Sequence, residues 1–331
     1  MLRQSTPNTP SGIEFGPWHD YSQCLPRVPP GSGMQLAQAT LRRRLKHNLG
    51  LVLFQTGLYR RFFRDQAVVV LFHRVDDRYP TDPLTCTARK FAAFCDFFAR
   101  YFTVVPLSEL VRRVAEGRSV GGLLSVTFDD GYRDNSDTAA GILKQQGLPA
   151  CFFVATDLIG SSQVAWWDAA QRIESRWMSW DDLRGLVAAG FEVGSHTVHH
   201  EDLGRMRGAM AYREMAESKR RLEAELSRPI TLFSYPYGGA AHLHDSNREL
   251  ARQVGYHCCL SAHGGLVPRG TDPFHMQRTP ISHWQLSPYQ FGFEAALESL
   301  RDGHHVAPRV SKDEDVGRSP ALAQPDAQAS A

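Results

Sequence analysis

The sequence lacks an apolar run long enough to span a membrane. Its longest apolar stretch near the start, residues 49–59, is interrupted by glycine and polar residues, whereas a spanning helix needs roughly 20 apolar residues. Residues 1–35 are polar and rich in Pro, Gly and Ser, so the charged start and apolar middle of a secretory signal are also missing. These absences predict a cytoplasmic protein that is not exported by the common route.

An excess of one charge and paired cysteines are missing as well. The formal net charge is only +2 over 331 residues, which provides no general attraction for nucleic acid, and we expect no nucleic-acid partner. None of the six cysteines forms a Cys-x-x-Cys motif. Cys258 and Cys259 are adjacent in an apolar run, which indicates buried free thiols.

One local stretch, residues 42–64, is strongly basic. Its apolar middle is flanked on both sides by basic side chains, namely Arg42, Arg43, Arg44, Lys46, Arg60, Arg61 and Arg64. We interpret residues 39–61 as a basic amphipathic helical segment. The interpretation we favour is a helix packed against the rest of the protein. The alternative is a helix lying on an anionic membrane, which would make the protein peripheral to the inner membrane.

Between two polar tails, short apolar runs alternate with helical patterns. Residues 1–38 and 306–331 have the composition of disordered tails. Strands are predicted at 68–72, 102–105, 123–128, 151–155, 191–194, 230–233 and 257–261. Helices are predicted at about 88–100, 107–116, 134–147, 180–189, 205–227 and 245–254, with Ser179 and Ser246 as N-caps. The alternation indicates an α/β fold with a mostly parallel sheet, closed or open, in one catalytic domain over residues 62–300.

Two carboxylates stand at the end of one predicted strand. The run 123–128 is followed by Asp129 and Asp130, and Gly131 then allows a sharp turn. Adjacent acids in a partly buried site stay ionised only if a cation or hydrogen-bond donors compensate their charge. One of them is therefore a candidate metal ligand and the other a candidate base, and the alternative is an Asp-Asp-Gly turn on the surface.

A second strand end carries His196, His199 and His200. Imidazoles at positions i and i+4 of one helical turn share a face, so His196 and His200 are predicted to bind one ion while His199 points elsewhere. Together with one carboxylate they make a three-ligand site with a position left for water, the arrangement of catalytic zinc. A cluster of surface histidines is the alternative.

Two more strand ends carry candidate catalytic groups. The turn at 235–239 can aim a backbone N–H near Tyr237 at a developing oxyanion, or it can be an ordinary turn. His73 follows the first core strand, where it can protonate a leaving amine or serve as a core histidine. Because the carboxyl ends of parallel strands meet at one face, we expect both groups to join the acids and histidines in a single site.

These segments resemble the motifs of the polysaccharide deacetylase family, also called the NodB-homology carbohydrate esterases. TFDDGY at 127–132 is similar to the first motif, HTVHH at 196–200 to the second and SYPYG at 234–238 to the third. The resemblance covers about 65–283 and implies a distorted (β/α) barrel of about seven parallel strands. It also implies metal-dependent hydrolysis of N-acetyl groups from amino sugars in a polysaccharide or oligosaccharide, with release of acetate.

The resemblance further implies a role for each site residue. Asp129 corresponds to the general base, and the metal ligands are Asp130, His196 and His200. The region of Tyr237 supplies the oxyanion contact. The implied cofactor is a divalent metal, with Zn²⁺ expected from the ligand types, although cobalt, nickel and iron suit them too.

Two positions depart from the commoner family pattern. VLFHRV at 70–75 resembles the branch that contains the poly-N-acetylglucosamine deacetylases, where the acid lies near the start, so His73 takes that role and the late His283 is the weaker candidate. Ser234 stands where the third motif commonly has an arginine that orients the base. Arg278 is the candidate to replace that arginine, and the alternative is an ordinary surface or salt-bridge arginine.

The expected partner is a carbohydrate with N-acetylamino sugars, in exopolysaccharide or cell-envelope biosynthesis. Two other classes stay open: an amide hydrolase acting on a small metabolite or lipid-linked sugar, and a non-catalytic carbohydrate-binding protein. The presence of both acids and both histidines argues against the second. Four tryptophans flank the histidine segment, either as a wall for sugar rings or as part of the core: Trp166, Trp167, Trp177 and Trp180.

Overall fold

A computed structural model describes residues 33–285 and 287–302. The predicted tail at 306–331 lies outside the described residues, and so does most of the one predicted at 1–38. The exception is 33–38, which forms the start of a helix. The Met, Gln, Leu and Ala residues found there are good helix formers, and composition averaged over a longer window concealed them.

Nine strands occur in the described part of the chain. They are β1 (Gln66–Phe72), β2 (Arg74–Val75), β3 (Thr85–Cys86), β4 (Thr103–Val104), β5 (Leu123–Phe128), β6 (Cys151–Val154), β7 (Glu192–Ser195), β8 (Val267–Pro268) and β9 (Thr279–Pro280). Every residue of β1, β5 and β6 is buried. Continuous apolar runs of this kind are typical of parallel strands that are covered on both faces.

The sheet closes on itself through short pairings. Its main order is β7-β6-β5-β1, all parallel, with β4 beside β5, β9 beside β1, and β8 antiparallel to β1. Beyond β7, isolated parallel bridges join Ser195 to Phe233, Ser234 to Leu260 and Leu260 to Met276. Met276 leads into β9, which returns to β1. The predicted α/β domain with a mostly parallel, barrel-like sheet is confirmed.

The strands predicted at 230–233 and 257–261 are shorter than expected. Each contributes only isolated bridges, through Phe233 and Leu260, to the side of the sheet that closes the barrel. The first is bounded by Pro229 and Pro236, and proline has no N–H to donate to a ladder. The barrel is therefore distorted on this side.

Ten helices surround the sheet within the described residues. They are α1 (Gly33–Gln55), α2 (Tyr59–Phe62), α3 (Ala88–Tyr101), α4 (Leu107–Ala115), α5 (Ala140–Gln145), α6 (Trp166–Ala170), α7 (Trp180–Ala188), α8 (Ala209–Leu226), α9 (Asp245–Val254) and α10 (Pro288–Asp302). Ser179 caps α7 as predicted, in a capping box with Asp182. Ser246 was expected to cap α9 but lies inside it, after His244 at the cap position. The helix predicted at 134–147 opens with a π-helical turn, Asn135–Ala139.

The basic segment forms α1 and α2, and α1 packs against α10, as the favoured interpretation required. None of the described helices is long and apolar enough to cross a bilayer.

Aromatic stacking holds the ends of three neighbouring strands at the same height. Phe72, Phe128 and Phe152 are paired residues on β1, β5 and β6, and their ring centroids are 5.5 and 4.8 Å apart. Each buried phenylalanine contributes about 2–3 kcal/mol through burial, and each ring pair about 1 kcal/mol more. The residues that directly follow, His73 and Asp129, therefore leave the sheet at one level.

Candidate metal centre and active site

The structure brings the three predicted ligands together at the carboxyl ends of the strands. Asp130 follows β5, and His196 follows β7. The ligand atoms of Asp130, His196 and His200 all lie within 4.8 Å of one another. Oδ1 of Asp130 is 3.2 Å from Nε2 of His200 and 3.5 Å from Nε2 of His196. All three side chains are buried, so they face one another rather than solvent.

Several of the atoms that could bind a metal in this triad are buried without a hydrogen-bond partner among the described residues. Neither carboxylate oxygen of Asp130 and neither ring nitrogen of His200 has a hydrogen bond of proper geometry to the described residues. Burying a carboxylate without compensation costs several kcal/mol. Burial would raise the pKa of Asp130, but the adjacent His196 and His200 hold that pKa well below its usual range. An ionised carboxylate beside two imidazoles fits a divalent cation, by charge and by ligand type.

The tautomer of His196 is set by the backbone. Its Nδ1–H donates to the carbonyl oxygen of Ser234 at 2.8 Å. The lone pair of Nε2 therefore points toward Asp130, and outer hydrogen bonds of this kind orient metal-binding histidines. The His200 ring is held differently, by contact with Trp167 and Tyr237 at centroid distances of 4.6 and 5.0 Å.

Backbone strain is concentrated at the same place. Asp130, Thr197, His200 and Tyr237 all have positive φ, between 58° and 75°, a region that costs residues other than glycine free energy and often marks functional sites. The predicted helical turn over 196–200 is therefore wrong. The two imidazoles converge because left-handed residues fold the loop back, while His199 turns away and bonds Glu214 at 2.7 Å.

The candidate base, Asp129, is held by a buried arginine. Nη1 and Nη2 of Arg278 donate to Oδ1 and Oδ2 of Asp129 at 2.8 and 2.6 Å, and Nη2 also donates to the Ser234 hydroxyl at 2.6 Å. Burial would raise the pKa of Asp129, but the charge of the Arg278 guanidinium and its hydrogen bonds lower it below its usual value. The small side chain of Ser234 leaves space for the guanidinium. Arg278 therefore lies against Asp129, the residue that the arginine of the third motif commonly orients.

His73 lies beside this group. It is buried, and its carbonyl oxygen accepts a hydrogen bond from Asn135 at 2.7 Å. Burial lowers the pKa of His73, although the charges of Asp130 and Asp129 partly counteract it. His73 is therefore neutral near pH 7 and has to take up a proton before it can donate one.

The competing His283 has other surroundings. Its described contacts include Ser282, Trp284, Lys90 and the backbone of Asp82, none of which belongs to the triad.

Tyr237 and two of the predicted tryptophans lie around His200, and a third tryptophan lies deeper. The Tyr237 ring packs on His200, and its hydroxyl accepts a hydrogen bond from Nε1 of Trp166 at 3.4 Å. The Trp167 ring packs on His200 as well. Trp177 is buried against Tyr132, with ring centroids 4.7 Å apart, so it belongs to the wall beneath the site.

A buried polar network behind Trp167 carried no recognisable signal in the sequence. Nε1 of Trp167 donates to the Tyr132 hydroxyl at 2.7 Å, which donates to Asp168 at 3.1 Å. Asp168 is also ion-paired with Arg74. Arg74 follows His73 in the 70–75 segment, but Asp168 lies 94 positions away in no motif, so only the fold could reveal that the two residues support the ring that contacts His200.

Comparisons with known proteins agree with this geometry. Residues 117–259 match the family model described as polysaccharide deacetylase. YxkH of Bacillus subtilis (strain 168), which is named for the same family, is 24% identical over 201 residues, which are 61% of this chain and 65% of YxkH. The chain thus spans somewhat less than two thirds of that relative.

Two solved structures share the fold. The Streptococcus pyogenes deacetylase PplD, in complex with acetate, superposes with a TM-score of 0.58 at 18% identity, covering 68% of this chain and 96% of PplD. IcaB from Ammonifex degensii gives a TM-score of 0.55 at 24% identity, covering 68% of this chain and 97% of IcaB. The match over residues 117–259 and the shared fold make this chain similar to the polysaccharide deacetylases.

Proposed function

We propose that this protein removes N-acetyl groups from amino sugars in a polysaccharide or oligosaccharide and releases acetate. The observation that carries the proposal is a buried Asp-His-His triad beside an arginine-held aspartate, within a polysaccharide deacetylase domain. A substrate with N-acetylglucosamine, and a place in exopolysaccharide or cell-envelope biosynthesis, belong to the same proposal. The similar protein PplD is a deacetylase whose structure contains acetate, which supports the reaction type.

In this proposal Asp130, His196 and His200 hold the ion, and zinc is the ion that their donor types favour. A bound divalent ion would polarise the acetyl carbonyl and acidify a water molecule. The unsatisfied oxygens of Asp130 and the lone pair of Nε2 on His196 support these assignments.

The remaining residues move or stabilise charge. Asp129 accepts the proton of the attacking water at a carboxylate oxygen, and its Oδ2 lies 3.9 Å from Nε2 of His196, facing the ligands. Arg278 keeps that carboxylate ionised and oriented. A donor in the region of Tyr237 stabilises the oxyanion. His73, after it has taken up a proton from solvent, donates that proton to the departing sugar nitrogen, and Asp129 returns the proton that it accepted to solvent.

The test is acetate release from N-acetylated chito-oligosaccharides, with bound metal measured on the same samples. Replacing Asp129 with Asn is expected to reduce turnover by at least about 100-fold while the metal content stays unchanged. Asp137→Asn is the matched control, because that carboxylate is exposed and forms an ion pair with Arg133 at the surface. Turnover of Asp129→Asn within a few fold of wild type would reject the base assignment.

Substrate class is tested separately. A wild-type protein that is inactive on every oligosaccharide but cleaves a small N-acetyl metabolite would favour the small-metabolite hydrolase. Carbohydrate binding with no hydrolysis at all would favour the non-catalytic alternative. Contact of the 42–64 segment with a membrane stays a prediction. The fold shows that α1, which contains part of this segment, packs on α10.

A further inference from the structure

One face of α1 carries an exposed apolar stripe, formed by Leu41, Leu45, Leu49 and Val52. These side chains are 68%, 57%, 44% and 58% exposed, respectively. At about 100° per residue, all four fall within about 80° of the helix circumference. Single exposed leucines are ordinary, but a contiguous apolar stripe indicates a surface that contacts something else.

The helix α1 cannot rotate to bury the stripe, because its opposite face packs on α10. Gly50 lies so close to α10 that a Cβ there would come within 1.9 Å of the Tyr289 carbonyl oxygen. The Lys46 ammonium donates to Glu294 on α10 at 2.8 Å. The orientation of α1 is therefore set by packing, and the stripe is presented outward.

Basic side chains border the stripe on both sides. On the same helical projection, Arg42 and Arg44 fall at the two edges of the stripe, and both are exposed. Arg60 and Arg61 on α2 are exposed as well. The sequence from residue 33 to residue 62 contains no Asp or Glu. An apolar stripe whose own helix carries basic and no acidic side chains complements a surface that is apolar inside and anionic outside.

We propose that the stripe docks α1 in the plane of an anionic lipid bilayer. The four apolar side chains enter the boundary between headgroups and acyl chains, and Arg42 and Arg44 contact lipid phosphates. A second copy of the chain is a poorer occupant, because two stripes placed face to face would bring like charges together.

The experiment is vesicle co-sedimentation of the full-length protein. The vesicles are pure phosphatidylcholine, or phosphatidylcholine mixed with phosphatidylglycerol. Wild type is expected to bind the mixed vesicles, and to bind them less as salt is raised. The triple variant L45Q/L49Q/V52Q is expected to lose at least about tenfold in binding, and R42Q/R44Q about thirtyfold.

The matched control is V164Q/M210Q, which replaces two apolar side chains that are equally exposed elsewhere, at 58% and 63%, and should bind like wild type. Circular dichroism and acetate release check that each variant is folded. Wild type that stays in the supernatant with both kinds of vesicle overturns the proposal. So does unchanged binding by the stripe variant, or a wild-type dimer that becomes monomeric when the stripe is made polar.

Discussion

Replacing Arg278 with Gln is expected to abolish turnover and weaken the fold without releasing the metal. The guanidinium is fully buried. It makes two short hydrogen bonds to Asp129 and one each to the Ser234 hydroxyl, the Thr127 hydroxyl and the Ser261 carbonyl. Removing one partner of a buried ion pair leaves an uncompensated charge, which costs about 3–5 kcal/mol of unfolding free energy. Because the freed carboxylate is no longer aligned, we expect acetate release to fall by at least about 100-fold.

Arg278→Lys separates charge from geometry in this prediction. An ammonium keeps the positive charge but cannot form the paired bonds of a guanidinium, so activity should be intermediate, about tenfold below wild type. Arg133→Gln is the control, because its ion pair with Asp137 is exposed and contributes about 0–1 kcal/mol.

The assays for these variants are acetate release, urea unfolding and bound metal. Metal content should equal that of wild type, because Arg278 contacts none of the three ligands through the hydrogen bonds described. Activity of Arg278→Gln within threefold of wild type would refute the reasoning.

Three further predictions concern neighbouring groups. His73→Gln should lower kcat by roughly 10²–10⁴ with the metal retained, as shown by acetate assay and elemental analysis; an unchanged kcat would return the acid role to another group. Trp167→Ala should weaken metal affinity about tenfold or more in a chelator competition, because it removes the ring packed on His200; unaltered affinity would contradict this. Burial raises the pKa of Asp134 from 3.8 to about 6, so the folded state binds that proton more tightly than the unfolded state. The contribution of Asp134 to stability is then fully present below pH 3.8 and is lost as pH rises through 6. Asp134→Asn should abolish this contribution, which amounts to about 3 kcal/mol in urea unfolding between pH 4 and 8.

The strand ends were predictable because each one is marked locally. A buried apolar run followed by Asp129 and Asp130, or by His196, identifies both the strand and the polar group that leaves it. The rule that parallel strands present their carboxyl ends at one face then places these groups together. For this reason the α/β class and the position of the candidate site could be read before any coordinates.

Features that depend on distant or strained backbone could not be predicted in the same way. The sequence offered Arg278 as a candidate to hold Asp129, but it left open an ordinary surface or salt-bridge arginine. Only the bridges that close the barrel place the two residues, 149 positions apart, side by side. A helical turn was the simplest way to align His196 with His200, but the chain uses positive φ at Thr197 and His200 instead, which no residue type there announces.

Packing between helices was equally hidden. The contact of α1 with α10 joins the two ends of the domain, so the outward face of α1 was defined only once the fold was known.

The central claim is that Asp130, His196 and His200 together bind one divalent ion. The most direct measurement is elemental analysis of the purified wild type beside Asp130→Ala and His196→Ala, after dialysis against a metal-free buffer and reloading with zinc. We expect about one ion per wild-type chain and very little in either variant. Stoichiometric metal in both variants, with folding intact, would contradict the account.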